Sequence, residues 1–209
     1  MMPRSSSSAG LAAMSESGIE GRNRISAAAK INLDLQILGR RSDGYHEVQT
    51  LLQTIDLTDE ITASAAPPGV LDLQVTPESA VSSGSDNLMV RAAEALKRYT
   101  GARVGAKLEL AKRIPVGAGR GGGSSDAAAT LVLLDALWGL RLQFSELQVL
   151  AAEIGSDVPF FLTGGLALAT GRGEIIRPLA DLIDCGVVVC TPPIEIPPVR
   201  VYNRFASGH

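Results

Sequence analysis

Strict alternation marks the first patterned stretch of the chain: Ile31, Leu33, Leu35 and Ile37 are separated by Asn32, Asp34 and Gln36, with Lys30 just ahead. A period of two predicts a strand over 25–38 with one apolar and one wet face. Lys30, Asn32 and Asp34 then project from the same side of the sheet. A turn follows over 39–44, with Asp43-Gly44 as its strongest signal, and it delivers Tyr45 and His46 just beyond. Residues 48–57 and 60–65 read as two further strands, and Pro67-Pro-Gly69 turns the chain into another over 70–76. The sheet is expected to be mixed.

The period then lengthens. Leu88, Ala92, Ala95, Leu96 and Tyr99 share one face of a helix over 87–99, capped by Asp86 or Ser85. Val104, Ala106, Leu108 and Leu110 alternate with Gly105, Lys107 and Glu109, a strand that feeds a glycine-rich run. A helix follows that run over 127–138 and closes at Gly139, with Ser124, Ser125 and Asp126 as candidate caps. Leu147, Leu150, Ala151 and Ile154 define a third helix, opened by a capping box from Ser145 to Gln148 and stopped at Gly155. Pro159 drives the residue before it extended, so Asp157 sits at a bend. Strands are expected over 164–170, 174–178 and 186–191.

The run Pro115-Val-Gly-Ala-Gly-Arg-Gly-Gly-Gly-Ser-Ser-Asp126 has five glycines in seven residues. Glycine loses the most entropy on folding and brings no side chain, which points to a bare backbone approaching a ligand rather than to packing. A helix N-terminus behind such a loop is an anion site, and a phosphate chain is its natural occupant. Gly117, Gly119 and Gly122 also satisfy G-x-G-x-x-G, but no second strand with an acidic end follows. A Walker loop is excluded, since Gly-Lys-Ser/Thr is absent. A plain linker does not suit a run clamped between a patterned strand and an apolar helix.

Composition narrows the function. A formal net charge of -3 and a pI near 5.4 argue against a nucleic-acid surface and for small-molecule chemistry. Cys185 and Cys190 read as part of a buried strand, on opposite faces, and not as a metal pair or disulfide framework. With only His46 and His209 besides, no zinc site is expected. The longest apolar stretch, 127–140, is too short to span a bilayer and carries Asp135. These readings place the protein in a reducing cytoplasm. Residues 1–23, with Ser5 to Ser8 in a row, read as a disordered leader.

The loop resembles the phosphate-binding motif of the GHMP kinases. Within that family, P-x-G-x-G-x-G-G-G-S-S is similar to the branch that phosphorylates 4-diphosphocytidyl-2-C-methyl-D-erythritol. Two other stretches carry the same resemblance: Ala27-Ala-Ala-Lys-Ile-Asn-Leu33 and Gly155-Ser-Asp-Val-Pro-Phe-Phe161. The segment Gly39-Arg-Arg-Ser-Asp-Gly-Tyr-His46 resembles the one that holds the cytosine end of the substrate. One departure is visible, Arg120 where the family usually has leucine.

The resemblance implies an α+β fold, the GHMP kinase N-terminal domain, ribosomal protein S5 domain 2-like with a left-handed βαβ crossover. It implies ATP and Mg2+ as cofactors and a small-molecule cytidine-diphosphate substrate, without nucleic acid or membrane partners. Pro115, Val116, Gly117, Ala118, Gly119, Arg120, Gly121, Gly122, Gly123, Ser124 and Ser125 would hold the nucleotide. Their backbone N–H groups from Gly117 to Ser125 would take the phosphates, with Ser125 touching Mg2+. Lys30 and Asp157 would be catalytic, and Asn32, Tyr45 and His46 would bind the acceptor. The product would be the 2-phosphate, on the non-mevalonate route to isoprenoids.

By the same resemblance, 24–190 would be the ATP-binding domain. The four prolines over 191–198 and the pattern at 199–205 would be the connector and start of a second domain, largely missing. A sibling kinase acting on homoserine or mevalonate, and a nucleotide-binding module without turnover, are the alternatives.

Overall fold

A computed structural model describes residues 23–78, 80–182 and 185–191. Their elements run β1 (Asn23–Arg40), β2 (His46–Ala66), β3 (Leu71–Thr76), α1 (Leu88–Thr100), β4 (Gly105–Ala111), α2 (Gly122–Trp138), α3 (Phe144–Ile154), α4 (Val158–Thr163), β5 (Leu166–Gly171) and β6 (Ile175–Pro178).

β1 and β2 pair antiparallel, and the turn between them is where Asp43-Gly44 places it. Gly44 takes a φ of +86°, and Arg41 N–H donates to the Tyr45 carbonyl at 2.8 Å. The two strands expected over 48–57 and 60–65 are one. Between the pairs Ala28↔Thr58 and Ala29↔Ile55 the ladder absorbs two extra residues of β2, Asp56 and Leu57. A bulge bends a strand without ending it.

A second irregularity corrects the common face expected for Lys30, Asn32 and Asp34. Lys30 pairs with Thr54 and Asn32 with Leu52, but Asp34 pairs with Leu51, because Leu33 is an extra residue in β1. A slip of one residue moves side chains to the other face, so Asp34 parts company with the other two. The face is not wet at Lys30, which is buried, whereas Leu33, Leu35 and Leu38 are exposed.

One edge of β2 belongs to β1. Its other edge is shared, with β4 along Glu60–Ala66 and β5 along Val48–Gln53. β3 lies parallel beside β4 and β6 antiparallel beside β5, so the sheet is mixed. Parallel neighbours need a crossover, and α1 supplies it.

Ile25, Ile61, Leu73, Leu108 and Leu110 of the sheet pack with Met89, Leu96, Leu131, Leu134 and Leu150 of the helices. Each such side chain contributes roughly 1.5–3 kcal/mol on burial. Leu52, Phe160, Ala167 and Ala169 form a smaller cluster that seats α4 on β2 and β5.

The helix ends differ in detail from the expected ones. Asn87, not Asp86 or Ser85, caps α1, its Oδ1 accepting from Met89 N–H at 2.9 Å. α2 starts at Gly122 behind Gly121, so Ser124, Ser125 and Asp126 lie inside its first turns instead of capping it. The capping pair of α3 is Gln143 with Glu146, two residues early, with the Gln143 N–H donating to Glu146 Oε2 at 2.7 Å.

α4 has no counterpart in the expected elements. Pro159 lies in its first turn, where a missing N–H costs nothing. The strand expected over 186–191 does not form, and Cys185 and Cys190 are exposed. Among the described residues no strand pairs with this stretch, so its backbone has no ladder to join. The leader lies outside the described residues except for Asn23, which pairs with Ala63. Of the connector only Thr191 is described.

Candidate active site

The glycine run lies between β4 and α2 as a concave strip. Gly117, Gly119 and Gly121 take φ values of +71°, +70° and +69°, while Ala118 and Arg120 between them stay out of the left-handed region. Alternation of this kind turns successive N–H groups toward one side and builds an anion-binding nest. The first turn of α2 adds its own unpaired N–H groups. The Ser125 N–H is already committed, donating to the Gly121 carbonyl at 2.8 Å. The free run therefore stops one residue short of the Gly117–Ser125 span. Ser125 itself is buried and lines a small cavity with Ala28, Thr54 and Phe161.

Packing explains part of the glycine content after all. A Cβ at Gly121 would stand 2.7 Å from Phe161 Cζ, and one at Gly122 would stand 3.0 Å from Ile114 Cγ2. At Gly119 it would meet nothing within 4 Å, so that position has room beside it.

Lys30 reaches the loop from β1. Its N–H donates to the Arg120 carbonyl at 3.0 Å, and its Nζ donates to Asn32 Oδ1 at 2.6 Å. Asn32 Nδ2 donates to Thr50 Oγ1 at 2.8 Å, and Thr50 donates in turn to the Asp34 carbonyl. This relay fixes the amide of Asn32 with its oxygen toward the ammonium. Burial pulls the Lys30 pKa below the ordinary lysine value; Asp157 works against that and Arg120 adds to it.

Asp157 Oδ2 lies 3.9 Å from Lys30 Nζ, and its side chain is 42% exposed. It occupies the N-cap position of α4 but makes no capping bond. A carboxylate without that duty is open to a ligand.

Tyr45 and His46 stand at the far end of the β1–β2 pair, with Tyr45 exposed. The Arg172 guanidinium sits 4.9 Å above the Tyr45 ring. Its neighbour Gly173 closes on the other site: a Cβ there would be 3.7 Å from Asp157 Oδ1. The turn between β5 and β6 thus bridges the aromatic end and the carboxylate.

Three features have no counterpart in the sequence reading. Thr50 is one and Arg172 another, the latter hinted at only by its flanking glycines. The third lies beneath the loop, where Lys112 Nζ donates to Asp59 Oδ2 at 2.5 Å and to Asp126 Oδ2 at 2.9 Å. Asp59 Oδ1 also accepts the N–H groups of Arg113 and Ile114, at 2.5 and 2.9 Å. All three side chains are at most 5% exposed. Asp59 stands between Thr58 and Glu60, Lys112 between Ala111 and Arg113, and Asp126 between Ser125 and Ala127, so their sequence neighbours carry no signal of this cluster.

Residues 87–165, which span α1 to α4 and the loop, match the family described as GHMP kinases N terminal domain. The chain carries a GHMP kinase N-terminal domain. The chain is 47% identical over 179 residues to the 4-diphosphocytidyl-2-C-methyl-D-erythritol kinase of Shouchella clausii (strain KSM-K16), covering 86% of the chain and 60% of the relative. It is 54% identical over 155 residues to the enzyme of the same name from Synechococcus sp. (strain JA-3-3Ab), covering 74% and 50%.

A crystal structure of 4-(cytidine 5'-diphospho)-2C-methyl-D-erythritol kinase matches at a TM-score of 0.65 and 43% identity, over 75% of this chain and 55% of that one. Homoserine kinase from Cytophaga hutchinsonii shares the fold at 18% identity and a TM-score of 0.64, over 91% and 62%. The chain spans 50–60% of the length of these curated relatives. Among the described residues of this GHMP kinase domain, no helix is long and apolar enough to cross a membrane.

Proposed function

We propose that these residues form the nucleotide-binding and catalytic half of a kinase that phosphorylates the 2-hydroxyl of 4-diphosphocytidyl-2-C-methyl-D-erythritol. The observation that carries this reading is the Lys30–Asp157 pair set beside an anion-binding loop. Residues 24–190 would make up that half, and the named relatives support the substrate. A cytoplasmic setting suits such a reaction.

The loop amides from Gly117 to Ser124 would hold the phosphates of ATP. Asp157 would accept the proton of the acceptor hydroxyl, and Lys30 would stabilise the oxygen as it takes on charge. Phosphoryl transfer asks little of its base, because the transition state is largely dissociative. Asn32 would position Lys30 and offer its amide to the acceptor.

Mg2+ would neutralise phosphate charge. The donor set suits a cation held chiefly by the nucleotide's own oxygens: among the described residues no three His, Cys, Asp or Glu side chains come together, and Ser125 is buried. Tyr45 and His46 would take the cytosine by stacking and edge hydrogen bonds.

A coupled ADP-release assay with the diphosphocytidyl alcohol, mevalonate and homoserine tests the reading. Turnover of the first alone is expected. His46→Ala should raise KM for that substrate about tenfold, the worth of one good hydrogen bond, with kcat within about twofold. Equal use of mevalonate or homoserine, or an unchanged KM in the variant, would assign the acceptor site to a sibling kinase.

A further inference from the structure

The side chain of Arg120 is the only charged group between Pro115 and Ser125. Its backbone is held firmly. It stands between the left-handed residues Gly119 and Gly121, and its carbonyl accepts the Lys30 N–H at 3.0 Å. The next residue lies against the lysine stem, since a Cβ at Gly121 would be 3.2 Å from Lys30 Cγ.

The guanidinium is half-buried, and its Nε is sealed from solvent without a hydrogen-bond partner. Among the described residues it enters no ion pair. Two cations, Arg120 and Lys30, thus flank the loop with one carboxylate, Asp157, beside them. Like charges held close are unfavourable until an anion joins them, and a buried N–H donor with no acceptor is costly to leave so. The first of these bears on the ligand: with Arg120 and Lys30 side by side at a loop shaped to hold phosphate, an anion between the loop and Lys30 would relieve their repulsion.

We propose that Arg120 is a catalytic residue whose guanidinium contacts the transferring γ-phosphoryl of the bound nucleoside triphosphate. This rests on the kinase reading above. In the step, the bond from the γ-phosphorus to the oxygen bridging it to the β-phosphate breaks. Its electron pair leaves with the diphosphate. The bond from the acceptor oxygen to phosphorus forms, and the acceptor proton passes to Asp157. Charge on the three remaining phosphoryl oxygens is matched by the planar fork of arginine on one side and by Lys30 at the acceptor. A point charge in place of the fork would do this less well.

Calorimetric binding of ADP and of ATPγS, each with Mg2+, to the 209-residue chain tests the contact in the wild type, Arg120→Leu and Arg120→Lys. Thermal melting without nucleotide reports folding. Arg120→Leu should weaken ATPγS about tenfold to a hundredfold, the range for a hydrogen bond to a charged group, and leave ADP within about twofold. Arg120→Lys should lose less on ATPγS and nothing on ADP. Should the leucine variant fail to melt cooperatively, the lysine variant carries the comparison.

Equal losses for the two nucleotides would make Arg120 a support of the loop and overturn the proposal, as would no loss for either. A wild type that does not distinguish ATPγS from ADP would overturn it too, and one that binds neither would overturn the kinase reading as well. Nucleotide discrimination with no phosphorylation of any acceptor would sink the kinase reading and leave the arginine contact standing.

Discussion

Asp157→Asn and Lys30→Met should each lower turnover at least about a hundredfold, the usual cost of losing a positioned base or a charge stabiliser. ADP binding should stay within about threefold, because neither side chain belongs to the strip of amides that would hold the diphosphate. Asparagine preserves the shape of Asp157 and removes its proton affinity. Methionine preserves the buried stem of Lys30, which packs beside Gly121 and Phe161, and removes only the ammonium.

The two variants differ in pH dependence. Since burial lowers the Lys30 pKa, its charge is lost at lower pH than that of an ordinary lysine. Wild-type turnover should therefore fall on the alkaline side, and the residual turnover of Lys30→Met should lack that limb. Near-normal kcat in either variant, with melting unchanged, would remove these residues from the chemistry.

The second large effect is on stability. Lys112→Met should destabilise the fold by about 3–5 kcal/mol, the range for breaking a buried ion pair from one side. The ammonium is the shared partner of Asp59 and Asp126, and both carboxyl groups are out of solvent. Without it Asp59 keeps two backbone N–H donors, whereas among the described residues Asp126 keeps no hydrogen-bond donor for either oxygen. Asp126→Asn should be far milder, because the amide oxygen can still accept from Lys112. Urea unfolding of the three proteins decides the matter. A loss below about 1 kcal/mol for Lys112→Met would mean that the cluster is hydrated and worth no more than a surface pair.

Periodicity made much of this architecture legible: β1, β3 and β4 follow from alternation, α1 and α3 from apolar spacing, α2 from an apolar run free of Gly and Pro, and the turn before Tyr45 from Asp43-Gly44. What alternation does not carry is an inserted residue. The extra Leu33 and the extra pair Asp56 and Leu57 leave the pattern of letters intact and change which face each letter occupies. Asp34 was misplaced for that reason, and β2 was cut in two.

Tertiary partners are hidden in the same way. Nothing near Lys112 announces Asp59, 53 residues away, or marks Asp126 as its second partner. The cysteine strand failed because apolar composition specifies burial only where there is a surface to be buried against. The catalytic candidates were found through motif resemblance rather than through pattern, since a lysine in a strand and an aspartate before a proline have ordinary roles. Only the geometry shows that Asp157 leaves its capping position unused.

The buried cluster has one more consequence, in proton stoichiometry. Burial first, and Asp59 beside it, push the Asp126 carboxyl from 3.8 up to about 7. Unfolded, that group releases its proton near pH 4. Between those values the folded chain holds a proton that the unfolded chain does not, so Asp126 favours folding most at low pH and loses that contribution as pH rises through about 7. At a pH of about 5.5, each molecule that folds should take up close to one proton at this site, and refolding in weakly buffered solution should turn an indicator dye toward alkaline. Asp126→Asn should refold with that much less uptake, and equal uptake by the two proteins would show that the carboxyl is ionised in the folded state.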